Sequence, residues 1–186
     1  MNKEDEQLVE KGLSSKEVFS GRLLHVFRDE IELPNKKRGT REYIRHNGAV
    51  AIVPLLDNGC VIAEHQYRYP VKKVIVEIPA GKLDSADEDH LEAAKRELRE
   101  ETGYVASSWV ELGAIYPSVA YTTETIWIYL ARGLKKGERD LDDDEFLNVV
   151  EIPLEYFVDM IDKGEVRDAK TCVAILKTKL LLDKEK

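Results

Sequence analysis

From Ala49 to Leu56 the chain reads Ala-Val-Ala-Ile-Val-Pro-Leu-Leu, with no polar side chain. Such a run suits a buried central strand, which has no wet face and therefore no polar alternation. Asp57-Asn58-Gly59 follows with hairpin turn chemistry, since Asn and Gly tolerate positive φ. Cys60–Tyr67 and Val74–Ile78 then read as further strands.

Around this strand the chain reads as mixed α+β, with helices packed on sheet. Residues 1–15 are polar and expected to be loosely held. Lys16–Phe19, Leu23–Leu33 and Thr40–His46 read as strands, the last two joined by a turn at Pro34–Gly39. They make a small antiparallel unit over residues 1–46, ahead of a main domain at 47–186. Beyond a helix at Glu88–Thr102, strands are expected at Trp109–Tyr116, Thr125–Arg132 and Asn148–Ile152. Helices follow at Leu154–Lys163, stopped by Gly164, and at Ala169–Asp183. With 186 residues the chain fits one compact domain plus a small appendage.

Charge narrows the function classes. The formal net charge is −8, which disfavours nonspecific binding to nucleic acid or to an anionic membrane. A negative protein acting on a phosphate substrate needs local cations, either metal ions or a few placed arginines. Cys60 and Cys172 are too few and too scattered for a disulfide framework or a zinc cluster, and read as packing residues. No apolar run approaches the ~20 residues of a membrane span. The charged N-terminus lacks an apolar signal segment, so the cytoplasm is the expected location.

The helix at 88–102 carries the chemistry. Ser85 and Glu88 have capping-box spacing, and Gly103 stands where a left-handed cap belongs. Leu91, Ala94, Leu98 and, just past the helix end, Val105 fall on one stripe that faces the core. Glu97, Glu100 and Glu101 occupy an adjoining arc. Glu100 has Arg96 one turn back, whereas Glu97 and Glu101 have only each other at that spacing. Two readings follow: a solvated acidic face, or a metal site. The second gains from the position of the acids beside the apolar stripe. It gains also from the loop Ala80-Gly81-Lys82, which brings backbone carbonyls near the carboxylates. Oxygen donors of both kinds suit Mg²⁺ or Mn²⁺ rather than zinc.

The run Gly81…Glu88…Arg96-Glu97-Leu98-Arg99-Glu100-Glu101-Thr102-Gly103-Tyr104 closely resembles the Nudix box, G-x5-E-x7-R-E-U-x-E-E-x-G-U, where U is aliphatic or aromatic. Its second half matches at every fixed position. In the first half, six residues rather than five separate Gly81 from Glu88; alternatively, Asp87 stands at the Glu position. The stretches 40–42, 46–50, 64–70, 77–83 and 167–171 further resemble the ADP-ribose pyrophosphatase branch, the nucleoside diphosphate sugar hydrolases. The resemblance implies a Nudix fold, a mixed sheet sandwiched between helices with a small N-terminal β unit. It makes Glu97 and Glu101 the principal metal ligands, with Glu100 assisting and the Ala80 carbonyl completing the shell. Asp143 falls on the base position and Glu145 on a further ligand position, with Asp144 or Glu145 as alternative bases. Arg68 and Glu77 are expected in the substrate pocket, and Arg41 is expected to reach it from a partner subunit. Val119 stands where a proline marks ADP-ribose specificity in that branch.

The implied activity is metal-dependent hydrolysis of the diphosphate of ADP-ribose or a related nucleoside diphosphate sugar, giving a nucleoside monophosphate and a sugar phosphate. Mg²⁺ is the expected cofactor, with Mn²⁺ able to replace it, and the expected assembly is a homodimer with shared active sites. The competing readings are a Nudix hydrolase of another diphosphate (a nucleoside triphosphate, a dinucleoside polyphosphate or coenzyme A) and a non-catalytic nucleotide sensor. All three box glutamates are present, which argues against a sensor.

Overall fold

Backbone pairing sorts the described residues, 4–141 and 146–185 of the computed structural model, into three sheets and three α-helices. They fall into two compact units. One holds the chain up to His46 together with Ser118–Glu124, and the other holds Asn47–Pro117 and Thr125–Lys186.

The first unit is an antiparallel sheet of β1 (Lys11–Ser20), β2 (His25–Glu32) and β3 (Arg38–Arg45), in that order. β1 starts earlier than sequence patterning placed it, and every residue in it is exposed. It is a strand because it pairs with β2 from Lys11↔Glu32 to Ser20↔His25, not because it buries an apolar face. Across β2 and β3, Phe27 stacks on Tyr43 at 5.9 Å, and Arg45 lies over the Phe27 ring. Among the described residues of this unit, Ile31 is the one buried apolar side chain. Ser118–Glu124 joins through Ile44 N–H to the Tyr121 carbonyl (2.8 Å) and Thr123 N–H to the Ile44 carbonyl (2.9 Å).

The second unit is built on β4 (Ala49–Pro54), all of it buried. β4 runs parallel to β9 (Ile126–Lys136) and antiparallel to the short β7 (Ala80–Lys82). β8 (Tyr104–Ile115) closes this sheet, in the order β7-β4-β9-β8. A second sheet orders β10 (Leu147–Pro153), β5 (Cys60–Arg68) and β6 (Lys73–Glu77), all antiparallel. Alternation along β4 explains its apolar run. Ala49, Ala51 and Val53 enter one core, with Phe157 of α2 (Leu154–Asp162) and Ala174 and Ile175 of α3 (Ala169–Glu185). Val50 and Ile52 enter the other core, with Ala93, Ala94 and Leu98 of α1 (His90–Thr102). Both faces of the strand are covered by helices, so neither side carries a polar residue. This is the expected α+β sandwich.

Three local expectations change. The loop at Ala80–Lys82 is a short strand, because it pairs in antiparallel register with Ala49–Ala51 of β4. The helix starts at His90, and its cap is Asp89, which accepts from Leu91 N and Glu92 N at 2.9 and 3.0 Å. Ser85 and Glu88 are thus not a capping box; an acceptor right at the helix start satisfies the orphan amides more directly. Val105 is not on the helix stripe: it lies in β8 and is 47% exposed. Gly103 does end the helix in the left-handed conformation, φ 76°, and donates to the Arg99 carbonyl.

Candidate active site

The acidic arc of α1 meets β7 at close range. Glu101, 4% exposed, accepts from the Ala80 amide at 2.9 Å. Glu97, 9% exposed, sets its carboxyl on Gly81 so closely that a Cβ there would overlap it. Gly81 therefore earns its place by bulk alone, because its φ is not among the positive values. Two carboxylates are thus held against one short strand, which no solvated acidic face would require.

Arg96 gathers the acids around it. Nη1 donates to Glu97 at 2.7 Å and to Glu100 at 3.2 Å, while Nη2 reaches Glu88 at 3.3 Å and the Lys82 carbonyl at 3.4 Å. Glu97 thus has a cationic neighbour in sequence as well as Glu101 one turn on. Burial works against the Arg96 charge, but Glu97, then Asp84 and Glu88, outweigh it and hold the guanidinium protonated. Glu88, not the exposed Asp87, therefore fills the box position that faces the arginine, and its other oxygen accepts from Asp84 N–H. The additional residue after Gly81 is absorbed in the loop before Asp89. Glu100 divides its oxygens between Arg96 and Arg99, at 3.2 and 3.1 Å.

Arg68 and Glu77 come together across β5 and β6. Arg68 Nε and Nη2 donate to the two Glu77 oxygens at 2.7 and 2.8 Å, a bidentate pair with Glu77 1% exposed. Burial opposes the Arg68 charge; Glu77 more than offsets it, helped by Glu101 and Asp168, so its proton is held more tightly than usual. Arg41 belongs to the first unit, exposed on β3 and paired with Glu10. Asp143 and Glu145 lie outside the described residues. Among the described residues, no three His, Cys, Asp or Glu side chains form a group able to hold a metal. Sequence reasoning gave Arg96 only its contact with Glu100, although the box spacing was a signal for its wider role. It gave Lys170 no role at all.

A NUDIX domain model matches residues 45–172, and a nucleoside diphosphate sugar hydrolase N-terminal domain model matches residues 10–44. The chain belongs to the Nudix hydrolases. It is 41% identical over 170 residues to an ADP-ribose pyrophosphatase of Bacillus subtilis (strain 168), covering 90% of this chain and 91% of that one. To a GDP-mannose pyrophosphatase of Yersinia enterocolitica serotype O:8 / biotype 1B it is 32% identical over 143 residues, covering 72% and 73%. A crystal structure of an ADP compounds hydrolase superimposes with a TM-score of 0.85 at 26% identity, covering 95% of each chain.

Nudix hydrolases are generally dependent on divalent metals, and the geometry around Gly81 fits such an ion. Glu97 occupies the space a Cβ would fill, Glu101 is tied to the Ala80 amide, and both offer hard oxygen. Two carboxylates and a carbonyl are short of a full shell, and Glu145, the further expected ligand, lies outside the described residues. Among the described residues, no helix is long and apolar enough to cross a membrane.

Proposed function

We propose that this Nudix hydrolase splits the diphosphate of ADP-ribose or a related nucleoside diphosphate sugar, using Mg²⁺ or Mn²⁺ held by Glu97, Glu101 and the Ala80 carbonyl. Glu100 and Glu145 complete the ligand set. The observation that carries the reading is the pair of buried carboxylates seated on Ala80 and Gly81. When bound, the cation supplies charge neutralisation at the diphosphate and Lewis-acid activation of water. The chain does the rest. Glu97 and Glu101 are fixed in place by backbone and by Arg96, so little reorganisation is left for the reaction itself. Asp143 accepts the proton from the attacking water. Arg68, oriented by Glu77, faces the substrate as one of the locally placed cations that an overall acidic protein needs.

The working assembly we infer is a homodimer in which Arg41 serves the site of the partner subunit. A three-stranded sheet with one buried apolar residue is too thin to stand alone, and the wholly exposed β1 offers it a surface to share. Arg41 must then exchange Glu10 for a phosphate or base.

The two relatives named above carry the names of different sugar nucleotides, and Val119 departs from the proline of the ADP-ribose enzymes, so the range of substrates is the open axis. A panel of ADP-ribose, ADP-glucose and GDP-mannose with Mg²⁺, read by phosphate release after added phosphatase, tests the reading. Glu101→Gln is the control. It is expected to fold and to lose most of its activity, since a metal ligand supplies several kcal/mol of transition-state stabilisation. Near-normal turnover by folded Glu101→Gln would overturn the metal assignment.

A further inference from the structure

The entry to α3 carries an ionic chain that the hydrolytic reading leaves unused. Lys170 Nζ donates to Glu77 Oε2 at 2.5 Å and to Asp168 Oδ2 at 3.0 Å, and the Lys170 side chain is only 12% exposed. Asp168 Oδ2 also accepts from Thr171 N at 3.0 Å and Thr171 Oγ at 2.6 Å. The Thr171 hydroxyl, fully buried, accepts in turn from Ile78 N–H at 3.0 Å. Ile78 lies two residues before Ala80, whose amide holds Glu101. One short segment at the start of α3 thus grips both Glu77, the partner of Arg68, and Ile78, in the link that leads into the strand carrying the Glu101 anchor.

Stability is a poor explanation for such a chain, because buried ion pairs often add little over an apolar replacement. What they fix is direction. Arg68 commits Nε and Nη2 to Glu77, so the plane of its guanidinium follows wherever Glu77 is held. The charge count points the same way. Glu77 and Asp168 are two negative groups, balanced by Arg68 and Lys170. Without Lys170, Arg68 alone would face both carboxylates, and its attraction for a diphosphate would be spent inside the protein.

We propose that Lys170 is a positioning residue for substrate binding, setting the orientation of Arg68 and sparing its charge by sharing Glu77 and Asp168. The inference rests on the diphosphatase reading, in which Arg68 faces the substrate. The test is steady-state kinetics on the full-length protein with Mg²⁺ and the best substrate of the panel. Lys170→Met is expected to raise KM by about tenfold with kcat changed less than about twofold, the scale at which supporting groups of a site act. Lys170→Arg is expected to restore KM. Because both residues act through one cation, Lys170→Met with Arg68→Ala should be no worse than Arg68→Ala alone.

A lowered melting temperature with unaltered KM would make Lys170 a structural residue only and overturn the inference, as would additive effects in the double variant. If Lys170→Met does not fold, Lys170→Gln serves instead. It keeps a hydrogen-bond donor without the charge, so a KM between wild type and Arg68→Ala supports the inference and a wild-type KM overturns it. A wild-type protein inactive on every substrate would overturn the diphosphatase reading and this inference with it. An active wild type whose Lys170 variants keep their KM overturns the inference alone.

Discussion

Gly81→Ala separates the chemistry of the site from the stability of the fold. The backbone at Gly81 is not in the left-handed region, so alanine meets no conformational strain there. Removing a glycine from a compatible position is expected to stabilise the chain by about 0.4–1 kcal/mol through the unfolded state. The new methyl would, however, overlap the Glu97 carboxyl. That carboxyl is the far end of a flexible side chain, so it gives way, at the expense of its contact with Arg96, before the backbone does. The fold survives, and the ligand is displaced. A displacement on the order of 1 Å in a reacting constellation costs about 10²-fold in rate, equivalent to about 2.7 kcal/mol of barrier. We therefore expect kcat/KM to fall by about 10²-fold, while the melting temperature stays within a few degrees of wild type. Calorimetry and initial rates over a Mg²⁺ titration measure the two quantities on one preparation. The Mg²⁺ concentration for half-maximal rate should rise together with the loss. A Gly81→Ala protein with wild-type kcat/KM would refute the contact between Glu97 and Gly81 as the seat of the metal.

Asp143→Asn is expected to lower kcat with little change in KM, because a base acts only in the transition state; if Glu145→Gln abolishes turnover and Asp143→Asn does not, the base is Glu145. Asp168 gives a pH dependence. Burial opposes its ionisation, but Lys170 and Thr171 outweigh this and bring its pKa below the ordinary value. The folded chain then binds fewer protons here than the unfolded one. The contribution of Asp168 is therefore complete above the unfolded pKa of about 3.9 and is lost as pH falls through the lower folded value. Urea unfolding should show Asp168→Asn less stable than wild type at pH 7, with the gap closing below about pH 4; a constant gap would contradict the assignment. Mixing inactive Arg41→Ala with inactive Glu101→Gln subunits should restore activity if sites are shared across a dimer, and no recovery would show self-contained sites.

What was legible in the sequence was what local chemistry decides. β4 announced itself because both its faces enter cores, and the end of α1 because Gly103 takes a conformation most residues avoid. The start of α1 was misplaced because Ser85, Glu88 and Asp89 are all capping chemistry, and only the turn geometry chooses among them. β1 escaped in its first half because its residues are exposed and its strand character comes from β2. The box glutamates were readable from spacing on one helix. The grip of Lys170 on Glu77 was not, since 93 residues separate the two and neither has a local pattern pointing to the other. Nor could spacing place Ser118–Glu124, which pairs with the strand ending at Arg45 rather than with its sequence neighbours.

The two arginines at the site answer one electrostatic problem in different ways. A chain with net charge −8 that assembles buried carboxylates must offset them before any cation binds, or the helix and β7 would be driven apart. Arg96 does this from within the acidic arc, taking Glu88, Glu97 and Glu100 on one guanidinium, so the proposed ligands are held in place before an ion arrives. Its charge is consumed by those contacts and is of little use to a substrate. Arg68 has the opposite arrangement: its carboxylate partner Glu77 is itself shared with Lys170, which leaves the Arg68 charge less than fully matched. On the proposed reading, one arginine maintains the cation site and the other is kept available for the anion. This division accounts for Lys170 reaching across from α3 to Glu77, where a single ion pair would have satisfied the buried carboxylate.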